Sequence, residues 1–220
     1  MALFPMFVDI SGRKCVVVGG GRVALRKVET LLKYGGDVLV VSREICPEIR
    51  ALLPTDACLI MEAGLELEPL IEGAVLLVAA SGDRQLNHRL AVLCHSRAVP
   101  VNVIDAPEEC SFQFPAVVQR GEISIGINSG TNSPALTRNI RRKIEEDLPE
   151  YYGDLADQLG DLRIRIRDLY PEEKDRRSIL RKAADAAFSR GRVLTGEELA
   201  ALAGCRDKAM DDGRMEKLSQ

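Results

Sequence analysis

The chain has 220 residues, of which 46% are hydrophobic and 29% charged, and its formal net charge is −3. This length suits one large domain or two modest ones, and the balanced charge excludes a nucleic-acid-binding arm in either half. No run of about 18 apolar residues could span a bilayer, and residues 1–9 lack the basic start and apolar core of a signal peptide. We therefore expect a cytoplasmic globular protein that binds neither nucleic acid nor membrane.

The segment from Lys14 to Ser42 predicts a strand, a glycine-rich turn, a helix and a second strand. Its apolar run Cys15 to Val18 ends at three consecutive glycines, and helical spacing follows from Val23 to Tyr34. A strand, turn, helix and strand within about thirty residues are typical of a dinucleotide-binding unit.

Each position of the glycine turn has a predicted task. Gly19 permits the tight turn, Gly21 lets the backbone approach a pyrophosphate, and Ala24 lets the helix pack against the strand. The free N–H groups of the helix start, near Arg22 and Val23, should face phosphate oxygens. We therefore predict that Gly19, Gly21, Arg22 and Val23 bind the cofactor.

The second strand of this unit ends in Ser42 and Arg43, where many dinucleotide-binding proteins carry an acidic residue for the ribose 2′-hydroxyl. Arg43 could receive a 2′-phosphate and favour NADP. It could instead lie over the adenine, with the ribose held by backbone and Ser42, or be a solvated residue at a strand end. The choice between NAD and NADP is open at this point.

Further short apolar runs at residues 58–61, 75–80 and 101–104 alternate with segments of helical spacing. This alternation predicts a parallel sheet, and the wholly apolar run Val75 to Ala80 predicts a central strand covered on both faces. Ala80 and Ser81 follow that strand, on the edge where ligands bind, and are predicted to contact the cofactor.

The metal-binding residue types are not grouped in the sequence. The only histidines, His88 and His95, lie on one face of the predicted helix Gln85 to Ser96, too far apart to hold one metal ion, so we expect both to be solvated. No C-x-x-C pair occurs, so we expect reduced thiols and neither a disulfide framework nor a resident metal. The six cysteines are Cys15, Cys46, Cys58, Cys94, Cys110 and Cys205.

The pattern changes after Ile104, and a new element of architecture begins near Ser111. Ile123, Ile125 and Ile127 alternate with small or polar residues, which predicts a strand with one buried face. Ser133 and Pro134 are then typical of a helix start. The apolar residues of this predicted helix form one stripe, which comprises Leu136, Ile140, Ile144 and Leu148.

From Tyr151 onward the spacing of apolar residues is helical, with no strand signal. Thr195 to Glu198 is a capping box for a last helix, and residues beyond about Cys205 are expected to fray. The carboxyl-terminal part is therefore predicted to be a helical domain.

Five segments together carry a resemblance to a known family: Phe4 to Phe7, Val16 to Lys27, Leu76 to Asn87, Asn102 to Gly121 and Asn128 to Pro149. The chain resembles precorrin-2 dehydrogenase, which also occurs as the amino-terminal module of siroheme synthase and as a dehydrogenase–ferrochelatase. The resemblance is dense over the first 150 or so residues and extends to the helical tail only in character.

The resemblance implies oxidation of precorrin-2 to sirohydrochlorin with NAD as hydride acceptor, and in some members insertion of ferrous iron to give siroheme. It also implies an α/β fold with a Rossmann-like domain at 1–112, a dimerisation element at 113–149 and a helical domain at 150–220. Family members are homodimers whose subunits exchange the middle strands and share the substrate cleft. A chelatase without dehydrogenase activity and a non-enzymatic NAD-sensing module are the alternatives.

The resemblance also assigns residues. Asp105 matches the family's catalytic aspartate, although by itself it is equally a turn residue before Pro107. Ser129 matches a serine of the substrate cleft, and its loop leads into a helix start that favours anions. We expect the substrate-binding residues to be Asn102, Arg120, Ser129 and Arg138, although each arginine singly is as well explained as a solvated charge.

Overall fold

The structure is a computed structural model that describes residues 3–61, 66–130 and 133–203. The chain divides into two compact units, Met1–Phe114 and Pro115–Gln220. The predicted frayed segment beyond Cys205 lies outside the described residues. Among the residues described, no helix combines the length and the apolar character needed to cross a membrane.

The first unit contains a parallel sheet of five strands in the order β3-β2-β1-β4-β5, as the alternating pattern predicted. Its strands are β1 (Lys14–Val18), β2 (Asp37–Ser42), β3 (Cys58–Ile60), β4 (Leu76–Ala79) and β5 (Val101–Val103). Its helices are α1 (Arg22–Lys33), α2 (Pro47–Leu52), α3 (Glu68–Ile71) and α4 (Arg84–Ser96). The order reverses between β1 and β4, which makes their carboxyl ends the point where such sheets bind ligands.

Both faces of this sheet are covered. Val17 of β1 belongs to a core with Val28 of α1, and the neighbouring Val16 belongs to a second core with Leu90 of α4. Successive side chains of a strand point to opposite faces, so an apolar run such as that of β1 fills two cores at once. This arrangement fixes the strand ends, and therefore the site, between two packed layers.

The second unit begins with an antiparallel hairpin of β6 (Ala116–Arg120) and β7 (Ile123–Ile127). The alternating segment is therefore a strand, as predicted, but its isoleucines are only partly buried, so the predicted buried face is not observed. In its described part, up to residue 203, four helices follow: α5 (Pro134–Asp147), α6 (Tyr151–Leu169), α7 (Glu173–Arg190) and α8 (Gly196–Leu202). Ser133 caps α5 by accepting a hydrogen bond from Leu136 N at 3.2 Å. The predicted capping box of α8 is present, with Thr195 and Glu198 bonded reciprocally.

The helices of the second unit differ in how much apolar surface they bury. α6 and α7 share a core that contains Leu162, Ile166 and Ala183, whereas none of the residues of α5 is buried. Leu136 and Ile140 of the predicted stripe are 53% and 38% exposed. The further division of this unit into a dimerisation element and a helical domain stays a prediction.

Candidate functional site

Two glycines at the carboxyl end of β1 allow other backbone segments to pack closely against the turn. The sequence predicted a structural role for Gly19 but not for Gly20. Gly19 has φ +134°, and a Cβ there would lie 2.3 Å from the Ala80 carbonyl oxygen. A Cβ at Gly20 would lie 2.0 Å from the Glu44 carbonyl oxygen, and Cys46 N donates to Gly20 O at 2.9 Å. Gly20 was not among the predicted site residues, because its neighbour lies in a loop that only the fold brings close.

Gly21 has different surroundings, since a Cβ there would meet nothing within 4 Å. It is the N-cap of α1 and makes no side-chain cap, and the first turn of the helix contains no acidic residue. The first N–H groups of α1, at Arg22 and Val23, therefore lack an intrahelical acceptor. The turn is an open cradle with helix N–H groups at its base, which fits the pyrophosphate of a dinucleotide.

Ser42 and Arg43 lie on one side of this cradle, at the carboxyl end of β2. The Ser42 carbonyl accepts a hydrogen bond from Met61 N at 2.9 Å, and the Arg43 side chain is exposed. In dinucleotide-binding sheets of this type, the adenosine ribose binds at the carboxyl end of this second strand. Ala80 and Ser81 lie on the other side, and Ser81 Oγ donates to Asn87 Oδ1 at 2.7 Å.

Asp105 lies two residues after the end of β5, in a turn, and has φ +61°, in the left-handed region. Such a backbone is uncommon for a residue other than glycine, and it persists where the surrounding structure fixes it. The carboxylate is exposed, and Ile104 N donates to Ala79 O at 3.0 Å. Asp105 therefore lies at the same sheet edge as the glycine turn, next to the end of β4.

The chain after Asp105 returns along the free edge of β5. Cys110 Sγ accepts a hydrogen bond from Val103 N at 3.1 Å and donates to Val103 O at 3.3 Å. Ser111 Oγ accepts from Val101 N at 2.8 Å. Burial raises the pKa of the Cys110 thiol, so it keeps the proton that it needs in order to donate. These side chains bond to backbone groups of β5 that a neighbouring strand would otherwise pair with, and they thereby hold the turn that contains Asp105.

Glu109, at the end of a short 3₁₀ turn, connects the same segment to α4. His88 Nδ1 lies 3.1 Å from Glu109 Oε1, and His95 Nε2 lies 3.0 Å from Glu109 O. Both histidines are exposed, as predicted, but sequence reasoning missed their common partner. No local pattern could have shown it, since the residues are 14 and 21 positions apart.

Two of the predicted substrate-binding residues make contacts that support the fold. Asn102 is 8% exposed, and its Nδ2 donates to Phe112 O at 3.1 Å. Arg120 Nε donates to Leu148 O at 2.8 Å, and its Nη2 donates to Glu145 O at 3.1 Å. Arg120 therefore satisfies carbonyl groups at the carboxyl end of α5.

Ser129 lies at the opposite end of α5, so the structure does not bring it together with Arg120. Its Oγ lies 2.6 Å from Thr137 Oγ1 and donates to Ser133 O at 3.2 Å. Arg138 is exposed in the second turn of the same helix. Thr131 and Asn132, which complete the predicted anion-binding loop, lie outside the described residues.

Metal-binding and thiol groups are sparse in the described part of the chain. Within residues 3–61, 66–130 and 133–203, no group of three or more His, Cys, Asp or Glu side chains is placed to hold a metal ion. The cysteines described there are free thiols, and burial raises the pKa of Cys15 and Cys94 to about 11. Cys205 lies outside the described residues.

The reversed strand order, the open glycine turn and the uncapped start of α1 define a dinucleotide-binding protein of the Rossmann type. The family model of NAD(P)-binding proteins named NAD_binding_7 matches residues 6–116, and the chain belongs to that family. Its NAD(P)-binding character agrees with the cofactor predicted from the glycine turn.

Relatives agree with the resemblance seen in the sequence. The chain is 40% identical over 177 residues to the siroheme synthase of Thioalkalivibrio sulfidiphilus, covering 80% of this chain and 36% of the relative. It is 36% identical over 220 residues to that of Ectopseudomonas mendocina, covering 96% and 46%. The chain thus spans less than half of the length of these relatives.

The fold also agrees with a solved structure. SirC, a precorrin-2 dehydrogenase, matches 94% of this chain and 100% of its own with a TM-score of 0.74 and 22% sequence identity. The two proteins share a fold, so the predicted Rossmann-like sheet followed by a helical region is confirmed.

Proposed function

We propose that the protein catalyses the NAD-dependent oxidation of precorrin-2 to sirohydrochlorin, in the biosynthesis of siroheme. The similarity to siroheme synthases and to a precorrin-2 dehydrogenase supports this activity. The main structural support for this activity is the position of Asp105, an exposed carboxylate on a left-handed backbone beside the dinucleotide crevice. A module that only senses NAD has no need of an acid at this position.

The reaction removes a hydride and a proton from the substrate. NAD supplies the hydride acceptor when it is bound, and the protein must hold the donor carbon about 3–3.5 Å from it. The Asp105 carboxylate accepts the proton at one of its oxygens, as a general base. Because the side chain is exposed, it can pass that proton on to water.

The cofactor-binding residues in this proposal are those that surround the crevice. The phosphates bind at the start of α1, at Gly21, Arg22 and Val23, because no side chain caps this helix start and the first N–H groups of a helix have no intrahelical acceptor. Ser42 and Arg43 hold the adenosine side, and Ala80 and Ser81 contact the opposite side. We propose NAD as the cofactor. If NADP binds instead, Arg43 is the residue that would contact its 2′-phosphate.

We also propose that Ser129 and Arg138 bind the carboxylates of the tetrapyrrole. Ser129 precedes α5 and bonds to its first turns, and Arg138 lies in its second turn, so both are near the helix start, where the dipole favours anions. Asn102 and Arg120 donate hydrogen bonds to backbone carbonyl groups within their own units, so we propose that each supports the structure of its unit and does not contact the substrate. We propose a cytoplasmic homodimer, in which the poorly covered stripe of α5 and the strand β7 form the interface. Free thiols are consistent with a reducing compartment.

Insertion of ferrous iron is a second candidate activity, favoured by the similarity to siroheme synthases. Iron is then a substrate and needs no resident site. Asp105 would take up a proton displaced from a pyrrole nitrogen as the metal enters.

The deciding experiment is anaerobic incubation of the purified chain with precorrin-2 and NAD, followed optically for sirohydrochlorin, with ferrous iron added afterwards. Formation of sirohydrochlorin that depends on NAD supports the dehydrogenase. Iron insertion into supplied sirohydrochlorin without any NAD-dependent oxidation would identify a chelatase instead. Binding of NAD without either reaction would identify a sensing module.

A further inference from the structure

The side chain of Asn87, in the second turn of α4, is buried and bonded to a single residue. Asn87 is 6% exposed. Its Oδ1 accepts hydrogen bonds from Ser81 Oγ at 2.7 Å and Ser81 N at 3.3 Å, and its Nδ2 donates to Ser81 O at 3.0 Å. One amide therefore satisfies the backbone N–H, the carbonyl and the hydroxyl of Ser81.

The backbone that Asn87 holds is the one that lies against the glycine turn. Ala80 N donates to Val18 O at 2.7 Å. A Cβ on Gly19 would lie 2.3 Å from Ala80 O and 3.1 Å from Ser81 N, so the peptide between Ala80 and Ser81 packs directly on the turn. This peptide is one wall of the crevice between β1 and β4, where the strand order reverses.

The sheet order assigns that wall to one half of the cofactor. β2 lies on one side of β1 and β4 lies on the other. The end of β2 takes the adenosine ribose, and the start of α1 takes the pyrophosphate. The nicotinamide half must then extend toward β4.

We propose that Asn87 is a positioning residue that fixes the wall formed by Ala80 and Ser81 for the nicotinamide half of the dinucleotide. This inference rests on the dinucleotide site of the proposed function and does not depend on which substrate is oxidised. Asn87 is not exposed to the cofactor and acts through Ser81.

Loss of the Asn87 amide should lower the affinity for NADH, because the wall formed by Ala80 and Ser81 would no longer be held in one conformation before the ligand binds. The Ser81 N–H and carbonyl would lose their partners, and the adjoining Gly82 has open space around it, so the segment could adopt other conformations. Apparent affinity falls with the fraction of molecules in which the wall is in place. A ligand that occupies only the adenosine side contacts other residues and should be unaffected.

The test compares two ligands on the full chain: NADH, followed by its fluorescence, and ADP, followed by calorimetry. Asn87→Ala removes the amide. Asn87→Asp keeps its size but places an oxygen opposite Ser81 O. Asp83→Ala is the matched control, because the Asp83 carboxylate caps the same helix by accepting from Gln85 N and Leu86 N at 3.0 and 3.1 Å, and its loss leaves the contacts of Asn87 intact.

Asn87→Ala and Asn87→Asp should each weaken NADH binding about ten-fold, the effect expected when a buried polar group loses its partner. ADP binding should change by less than about two-fold, since no adenosine contact is altered. Asp83→Ala should lower the thermal midpoint without changing the ratio of the two affinities. If Asn87→Ala does not fold, the isosteric Asn87→Asp variant decides the question by the same ratio.

Unchanged NADH affinity in the Asn87 variants, or equal loss of NADH and ADP affinity, would overturn the inference. A wild-type chain that binds neither ligand would overturn the dinucleotide site itself, and the proposed function with it. A wild-type chain that binds NADH but does not oxidise precorrin-2 would contradict only the proposed reaction and would leave the role of Asn87 unaffected.

Discussion

In the first unit, the residues from Cys15 to Val18 in β1 and from Leu77 to Ala79 in β4 have no exposed surface. In the second unit, the 14 residues of α5 include none that is buried. A sheet covered by helices on both faces completes its own core. The hairpin of the second unit packs against both α5 and α6, yet the apolar stripe of α5 stays partly exposed and is available to a further surface. The comparison shows that the first unit closes its own core, and it favours the proposal that the exposed stripe of α5 meets a second copy of the chain.

The largest expected effects come from substitutions in the glycine turn of the first unit. There, a change at Gly20 should prevent folding, whereas a change at Gly21 should prevent only cofactor binding. Gly20→Ala should prevent stable folding, because its Cβ would overlap the Glu44 carbonyl oxygen at 2.0 Å. Gly21→Asp should fold, since nothing lies within 4 Å of its Cβ position, yet lose NAD binding because a carboxylate would repel the pyrophosphate. Circular dichroism and calorimetry measure the two outcomes, with Gly21→Ala as the neutral control for folding. Unchanged NAD affinity in Gly21→Asp would refute the assigned turn.

The next prediction tests whether Asp105, in the first unit, takes part in the proposed oxidation of precorrin-2. Asp105→Asn should lower the turnover of precorrin-2 by about 10²–10⁴-fold, the usual contribution of a general base, and should leave NAD affinity unchanged. The amide keeps the shape of the side chain but cannot accept a proton at neutral pH. Wild-type rates of sirohydrochlorin formation would return Asp105 to the role of a turn residue. A large loss of NAD affinity would mean that it supports the nucleotide site.

A matched pair of substitutions tests the comparison of the two units directly. Leu77→Ala in β4 should lower the free energy of unfolding by about 2–5 kcal/mol, because it opens a cavity in a closed core. Leu136→Ala in α5 should lower it by less than about 1 kcal/mol, because its side chain is already 53% exposed. Denaturant titration of both variants gives the two values. Equal losses would show that the stripe of α5 is a core element, contrary to the comparison.

Light scattering extends that test to assembly. We expect the wild-type chain to be a dimer at micromolar concentration and Ile140→Glu to shift it toward monomer, because a charge in the stripe opposes burial against a second copy. A stable wild-type monomer would remove both the proposed dimer and a shared substrate cleft.

The smallest effect concerns the start of helix α8 in the second unit. A hydrogen bond from Arg192, then one from Thr195 N, lower the pKa of Glu198 from 4.5 to about 2. A depressed pKa in the folded state stabilises that state above pH 4.5, and the contribution is lost as the pH falls through about 2. Glu198→Gln should therefore lower the thermal midpoint slightly at neutral pH, and the difference from wild type should shrink below pH 4.5. A difference that is constant with pH would assign the effect to altered hydrogen bonding and not to the charge of Glu198, since glutamine also serves in a capping box.

The sequence alone determined the elements whose signals come from near neighbours. The order of strands and helices in the first unit, the glycine turn before α1, the alternating strand β7 and the capping box at Thr195 all depend on residues a few positions apart. The place of Asp105 after β5 follows from the same local reading. Such features are predictable because periodicity and turn chemistry decide local backbone structure before any long-range contact forms.

Only the tertiary structure decided which distant residues meet. It showed Gly20 against Glu44, Glu109 between His88 and His95, and Arg120 at the carboxyl end of α5. It also placed the Asn87 amide on Ser81, at the carboxyl end of β4. These contacts depend on the order of the strands and on how each connection returns to the sheet. Hydrophobic periodicity carries neither kind of information, since it reports which face of an element is buried and not which element covers it.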